Sequence, residues 1–129
     1  MGTLDKTAIL AAQDIKTEDV PVPEWGGSVR VCTLSAGDLL GFWDACRDEA
    51  GALRRDRVQP ELLLRAIVGA DGTPLFTGAD VCDLMAKSAA AVGRLFEAAQ
   101  RLNGLGGEAE EAAKNSGAAP SGASLSASA

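Results

Sequence analysis

Three features of this 129-residue sequence predict an α+β domain dominated by about four to five helices, with one N-terminal β-hairpin and a disordered C-terminal tail. The first is the stretch from Lys87 to Leu105, where Val92, Leu95, Phe96, Ala99 and Leu102 recur at the three-and-four spacing of one helical face. The second is PEWGG at 23–27, a turn signal set between two segments of alternating polarity. The third is residues 116–129, which comprise five Ser, five Ala, two Gly, one Pro and one Leu. No core can be built from that composition.

Composition bounds the rest. A chain of this length is one domain's worth and buries roughly two-thirds of its unfolded surface. The hydrophobic fraction is 47%, yet aromatics are only 4% and Tyr is missing, so the expected core is thin. Net charge is −6, which argues against a general binder of phosphate backbones. Acids dominate residues 1–28, and Arg54, Arg55 and Arg57 form the one basic cluster, expected as a solvated loop because Asp56 sits inside it. Cys32, Cys46 and Cys82 stand at wide spacings in apolar surroundings, with no His to complete a zinc site. They read as buried thiols in a reducing compartment. MGTLDKTAIL lacks the basic start and long apolar core of a signal peptide, and no run reaches the ~20 apolar residues of a membrane span. A soluble intracellular chain is expected.

Residues 5–13 suit a short amphipathic helix with Ile9 and Leu10 on its apolar side. From Ile15 the pattern turns to alternation, with Val20 and Val22 apolar and Pro21 and Pro23 keeping the strand at a sheet edge. Gly26 and Gly27 offer the positive φ of a tight turn. Ser28 to Leu34 then alternates, Val29, Val31 and Thr33 against Arg30, Cys32 and Leu34. The result is a hairpin with Trp25 at its tip.

Ser35 can cap a helix from Ala36 to about Ala50, with Leu39, Trp43, Cys46 and Ala50 as its apolar stripe. After a charged connector at 51–58, Pro60 suits the first turn of a helix through Leu62, Leu63, Leu64, Ile67 and Val68. GADGTPLF at 69–76 is a second turn, with Leu75 and Phe76 returning to the core. Thr77 or Gly78 starts a short helix over 79–86 that presents Val81, Cys82, Leu84 and Met85. Ser88 caps the long helix, Glu97 precedes Arg101 by one favourable spacing, and Asn103-Gly104 ends it.

Nothing in this inventory supports catalysis. A nucleophilic enzyme needs an activated Ser or Cys beside a base, and there is no His and no cysteine in a glycine elbow. Asp80 with Asp83, and Glu110 with Glu111, read as solvated helix acids. The Asp71-Gly72 turn lacks the alternating oxygen ligands of a calcium loop. No catalytic residue, metal ligand or cofactor site is expected, which leaves a surface for another protein. Trp25, flanked by Pro and Gly, either anchors such a partner or folds back onto its own hairpin or the first long helix. Trp43 and the apolar face of 88–102 read as core.

The order and wording of PEWGGSVRV, DGTPLF, and KSAAAVGRLFEAAQRLNGLG running into KNS resemble the tail assembly chaperones of long-tailed phages and related prophages of Actinobacteria. The resemblance covers roughly residues 9–121, and 37–65 matches weakly. It implies a chaperone-like domain over 1–115 followed by the 116–129 tail, acting in the host cytoplasm. It further implies that the chain coats and solubilises the long, helical, apolar tape measure protein during tail tube assembly and is absent from the finished virion. A frameshifted longer form would recruit the tail tube protein, and self-association along the tape measure is compatible with that role. Trp25, Phe76 and Phe96 are the residues expected to bind the partner; nucleic acid and membrane are not expected partners. The rival reading is a small structural tail protein retained in the particle.

Overall fold

A computed structural model of the chain describes residues 2–105. Among them are five α-helices and a three-stranded antiparallel sheet, in strand order β1-β2-β3. The α+β class and the N-terminal hairpin are as the sequence predicts. The 116–129 tail, the weak helical turns after Gly104 and the Glu110-Glu111 pair lie outside the described residues.

β1 (Thr17–Val22) and β2 (Gly27–Cys32) form the hairpin, with Val20 opposite Val29 and Asp19 opposite Arg30. Val20 and Val22 are buried, whereas Asp19 and Arg30 form an ion pair at 2.9 Å that faces water. Alternation therefore sorts the hairpin into an inner and an outer face. β1 is the edge strand, where the donor that Pro21 lacks is cheapest to lose. The third strand, β3 (Ile67–Val68), places Ile67 opposite Val31.

β3 corrects an expectation, because Ile67 and Val68 were to be helical. The helix before it, α3, spans Arg55–Ala66. It stops where two β-branched residues precede Gly69, a combination that suits a strand. It also begins earlier than expected, so Pro60 lies buried inside it rather than in its first turn. That ring removes one helical donor and fills core volume instead. The 54–57 arginines consequently open a helix, and two of the three are paired, Arg54 with Asp56 at 2.9 Å and Arg57 with Glu61 at 3.2 Å.

α2 (Ala36–Ala45) is capped by Ser35, whose Oγ accepts from Asp38 N at 3.1 Å. It ends at Ala45 rather than near Ala50. The Asp48 carboxylate accepts from Ala50 N at 2.9 Å and Ala52 N at 2.8 Å, a local turn that competes with helix. The aromatic it buries is Phe42, not Trp43. Trp43 is half-buried and tilted against Phe42 with ring centroids 4.8 Å apart.

In the 69–76 turn, Gly72 takes a φ of 85° and the Asp71 carboxylate accepts from Thr73 N and Oγ1. Phe76 packs against the core, but Leu75 stays in solvent. Thr77 and Asp80 cap each other reciprocally at the turn Gly78–Asp80, which leads into α4 (Val81–Met85). So short a helix turns only one large side chain inward: Leu84 is buried, while Cys82 and Met85 are exposed against expectation. Cys32 and Cys46 are buried as expected, and burial pushes both thiols up.

α5 (Ala89–Leu102) starts at Ser88, whose Oγ accepts from Ala91 N. Its buried face is Ala91, Val92, Leu95, Ala98 and Ala99, with Phe96 and Leu102 at the margin. Three alanines let the helix approach the sheet closely. The Glu97–Arg101 pair suggested by spacing does not form; Arg101 reaches across to Glu18 on β1. At the far end of the chain, α1 (Lys6–Ala11) is capped by Asp5 but buries nothing, leaving Ile9 55% and Leu10 74% exposed.

Candidate functional site

The hairpin turns through a single tight 3-10 turn, Pro23–Trp25, closed by Gly26. Pro23 fixes the entry φ, and Gly26 adopts φ 77°, a left-handed conformation that a side chain would strain. Gly27 already belongs to β2, so only one of the two glycines is used for positive φ. The Gly26 N–H donates to Pro23 O at 3.1 Å. Trp25 is thereby carried at the tip, 38% exposed, and takes no part in the core.

The tip is not free. Arg94 on α5 donates from Nη1 to Glu24 Oε1 at 2.9 Å and from Nη2 to Oε2 at 3.0 Å. This fork-to-fork geometry is the strong form of the pair. The Arg94 guanidinium, helped by a backbone donor, holds the Glu24 carboxyl down at about 2, and Glu24 in turn raises Arg94. Both charges are thus fixed and mutually neutralised across the range in which proteins function.

Arg94 has a second neighbourhood. With Ala89, Ala90, Gly93, Phe96 and Glu97 it lines a shallow open depression on the outer face of α5. Small residues on the first two turns and the half-buried Phe96 ring stand there among Arg94, Glu97 and Gln100, so the lining is part apolar and part polar. A Cβ built on Gly93 would meet nothing within 4 Å. The chemistry available here is mixed, an aromatic ring and small side chains beside a neutralised ion pair, Glu97 and Gln100. No group at this surface is activated as a nucleophile or base.

Of the three residues predicted to bind a partner, Trp25 and Phe96 belong to elements joined through Arg94. Phe76 lines neither the tip nor the depression; it is half-buried against the core. Sequence reasoning missed Glu24, Arg94 and Gly93. The pair is 70 residues apart, and only the position of Arg94 off the core face hinted that it could meet something else. Among the described residues no group of three or more acidic, Cys or His side chains could hold a metal ion. No described helix is long and apolar enough to cross a membrane.

A family model described as phage tail assembly chaperone matches residues 3–115. No curated protein matches the chain. Among solved structures, the chain is similar to the bacteriophage HK97 tail assembly chaperone, at 18% identity and a TM-score of 0.49, covering 68% of this chain and 85% of that one.

Proposed function

The chain belongs to the phage tail assembly chaperone family, and on that premise we propose that it binds and solubilises the tape measure protein in the host cytoplasm while the tail tube is built, then leaves before the virion is complete. Membership of a chaperone family implies a non-enzymatic role with protein partners in the tail. The observation that carries the finer reading is the exposed Trp25 at a tip tied to α5 beside the depression that holds Phe96. A long amphipathic helix left in water invites aggregation, and an acidic adaptor with an apolar contact surface counters both the exposure and the self-contact.

Trp25 is the first anchor in this reading, with Phe96 in the neighbouring depression and Phe76 as further candidates. A frameshifted longer form that recruits the tail tube protein, and self-association on the tape measure, belong to the same proposal. The test is co-expression with a tape measure fragment. Wild type should keep the fragment soluble at low and high salt alike, because apolar contacts are not screened. Trp25→Ala should cost about 2 kcal/mol or more in binding, as interface anchors do, with the fold intact. Equal recovery by the variant would remove Trp25 as an anchor. Mass spectrometry of purified virions addresses release: a chain retained in the particle would favour the structural tail protein instead.

A further inference from the structure

The turn at the hairpin tip closes without help from the rest of the protein. Pro23, the φ of 77° at Gly26 and the Gly26–Pro23 hydrogen bond complete it, and Val22 is already in register with Gly27. The Glu24–Arg94 pair is therefore not needed to make the hairpin. Nor is it a large source of stability, since its side chains are 35% and 38% exposed. What two parallel hydrogen bonds add is direction. Glu24 precedes Trp25 within the same 3-10 turn, so fixing its carboxylate fixes the backbone that carries the indole. Arg94 also lines the depression that holds Phe96.

We propose that Glu24 and Arg94 are positioning residues, holding the Trp25 tip against α5 so that tip and depression present one composite surface to an apolar helical segment of the tape measure protein. The proposal rests on the reading that this protein binds the tape measure through Trp25. Glu97, also lining the depression, is exposed and has no ion-pair partner among the described residues, so it is the group that would compete for Arg94 if Glu24 were lost. At 2.9 and 3.0 Å the paired groups sit inside the Debye length, which is about 8 Å at physiological salt, so the tie holds there and weakens at much higher salt.

The experiment measures affinity for a tape measure fragment, using the full chain. Its variants are Glu24→Gln, Arg94→Met, the charge swap Glu24→Arg with Arg94→Glu, and Trp25→Ala. Each single change at the pair should weaken binding about fivefold, a coupling typical of residues acting through one another, with the melting temperature unchanged. The swap should recover most of the loss, and Arg94→Met should cost clearly less once Trp25 is Ala. A readout without partner accompanies these: with Trp43→Phe as background, acrylamide quenching of Trp25 fluorescence should rise in Arg94→Met. If Trp25→Ala weakens binding and the pair variants do not, the anchor stands and the positioning role is overturned. If Trp25→Ala has no effect, both readings fall. Losses that track a lowered melting temperature, without recovery in the swap, would make the pair merely structural and overturn the proposal.

Discussion

Helix α5 meets the hairpin at two places, and the chemistry differs between them. At the hairpin base, beside the exposed Arg101–Glu18 ion pair, the contact is one uncharged amide. Asn103 Oδ1 accepts from Leu34 N at 2.7 Å, while its Nδ2 donates to Ala99 O at 2.9 Å and to Cys32 O at 3.4 Å. These bonds are partly buried and serve backbone groups that end β2 and α5. At the tip the contact is the exposed Glu24–Arg94 pair. Removing the amide leaves the partly buried Leu34 N–H and Cys32 carbonyl without that partner. Removing the ion pair returns two side chains to solvent that can hydrate them. The same helix is thus fastened for stability at one end and for orientation at the other.

Asn103→Ala is the larger way to break this contrast. It leaves the Leu34 N–H and the Cys32 carbonyl without their present partner, which should cost about 1–3 kcal/mol, read as a lower urea midpoint with an unchanged slope. Should Arg94→Met lower the midpoint as much as Asn103→Ala, the division into a stabilising base and an orienting tip would be lost.

Acid titration sharpens the tip. The Glu24 carboxyl is held at about 2, below its ordinary value of 4.5, chiefly by hydrogen bonds from Arg94. A depressed folded value means the tie is fully present above pH 4.5 and is lost as pH falls through about 2. NMR titration of the Glu24 side-chain carboxyl should therefore give a midpoint near 2 in the wild type and a clearly higher one in Arg94→Met, where only the backbone donor still lowers it. Identical midpoints would mean that the pair does not persist in solution.

How far this arrangement was legible in the sequence follows from the range of each interaction. α5 was readable from Ser88 to Asn103 because its cap, apolar period and stop are all local. The hairpin was readable because PEWGG and the flanking alternation are local too. α3 was misread at both ends: Pro60 suggests a first turn, but burial of its ring outweighed one lost donor, and sheet pairing with Val31 drew Ile67 out of the helix. Phe42 and Trp43 are adjacent, so periodicity alone could not choose which one the core would take. At the site, Trp25 was visible as an aromatic in a turn with little to cover it. Its supports were not, because Glu24 and Arg94 are 70 residues apart and no local rule pairs them. Arg101 taught the same lesson when it preferred Glu18 to the helical neighbour Glu97.

The smallest expected effect lies in α1, which has neither kind of fastening. Asp5 accepts from Ala8 N at 2.9 Å, so the helix is started, yet none of its residues is buried. Six residues are too few to hold a helix by backbone bonds alone. Ile9 and Leu10, 55% and 74% exposed, would lose almost no transfer free energy on becoming polar. Ile9→Ser with Leu10→Ser should therefore move the urea midpoint by no more than a surface change does, within about 0.5 kcal/mol, while Asn103→Ala in the same assay moves it clearly. A drop comparable to that of Asn103→Ala would mean that these side chains pack on the domain in solution, and the arm would then have to be counted with the stabilising base of the hairpin rather than apart from it.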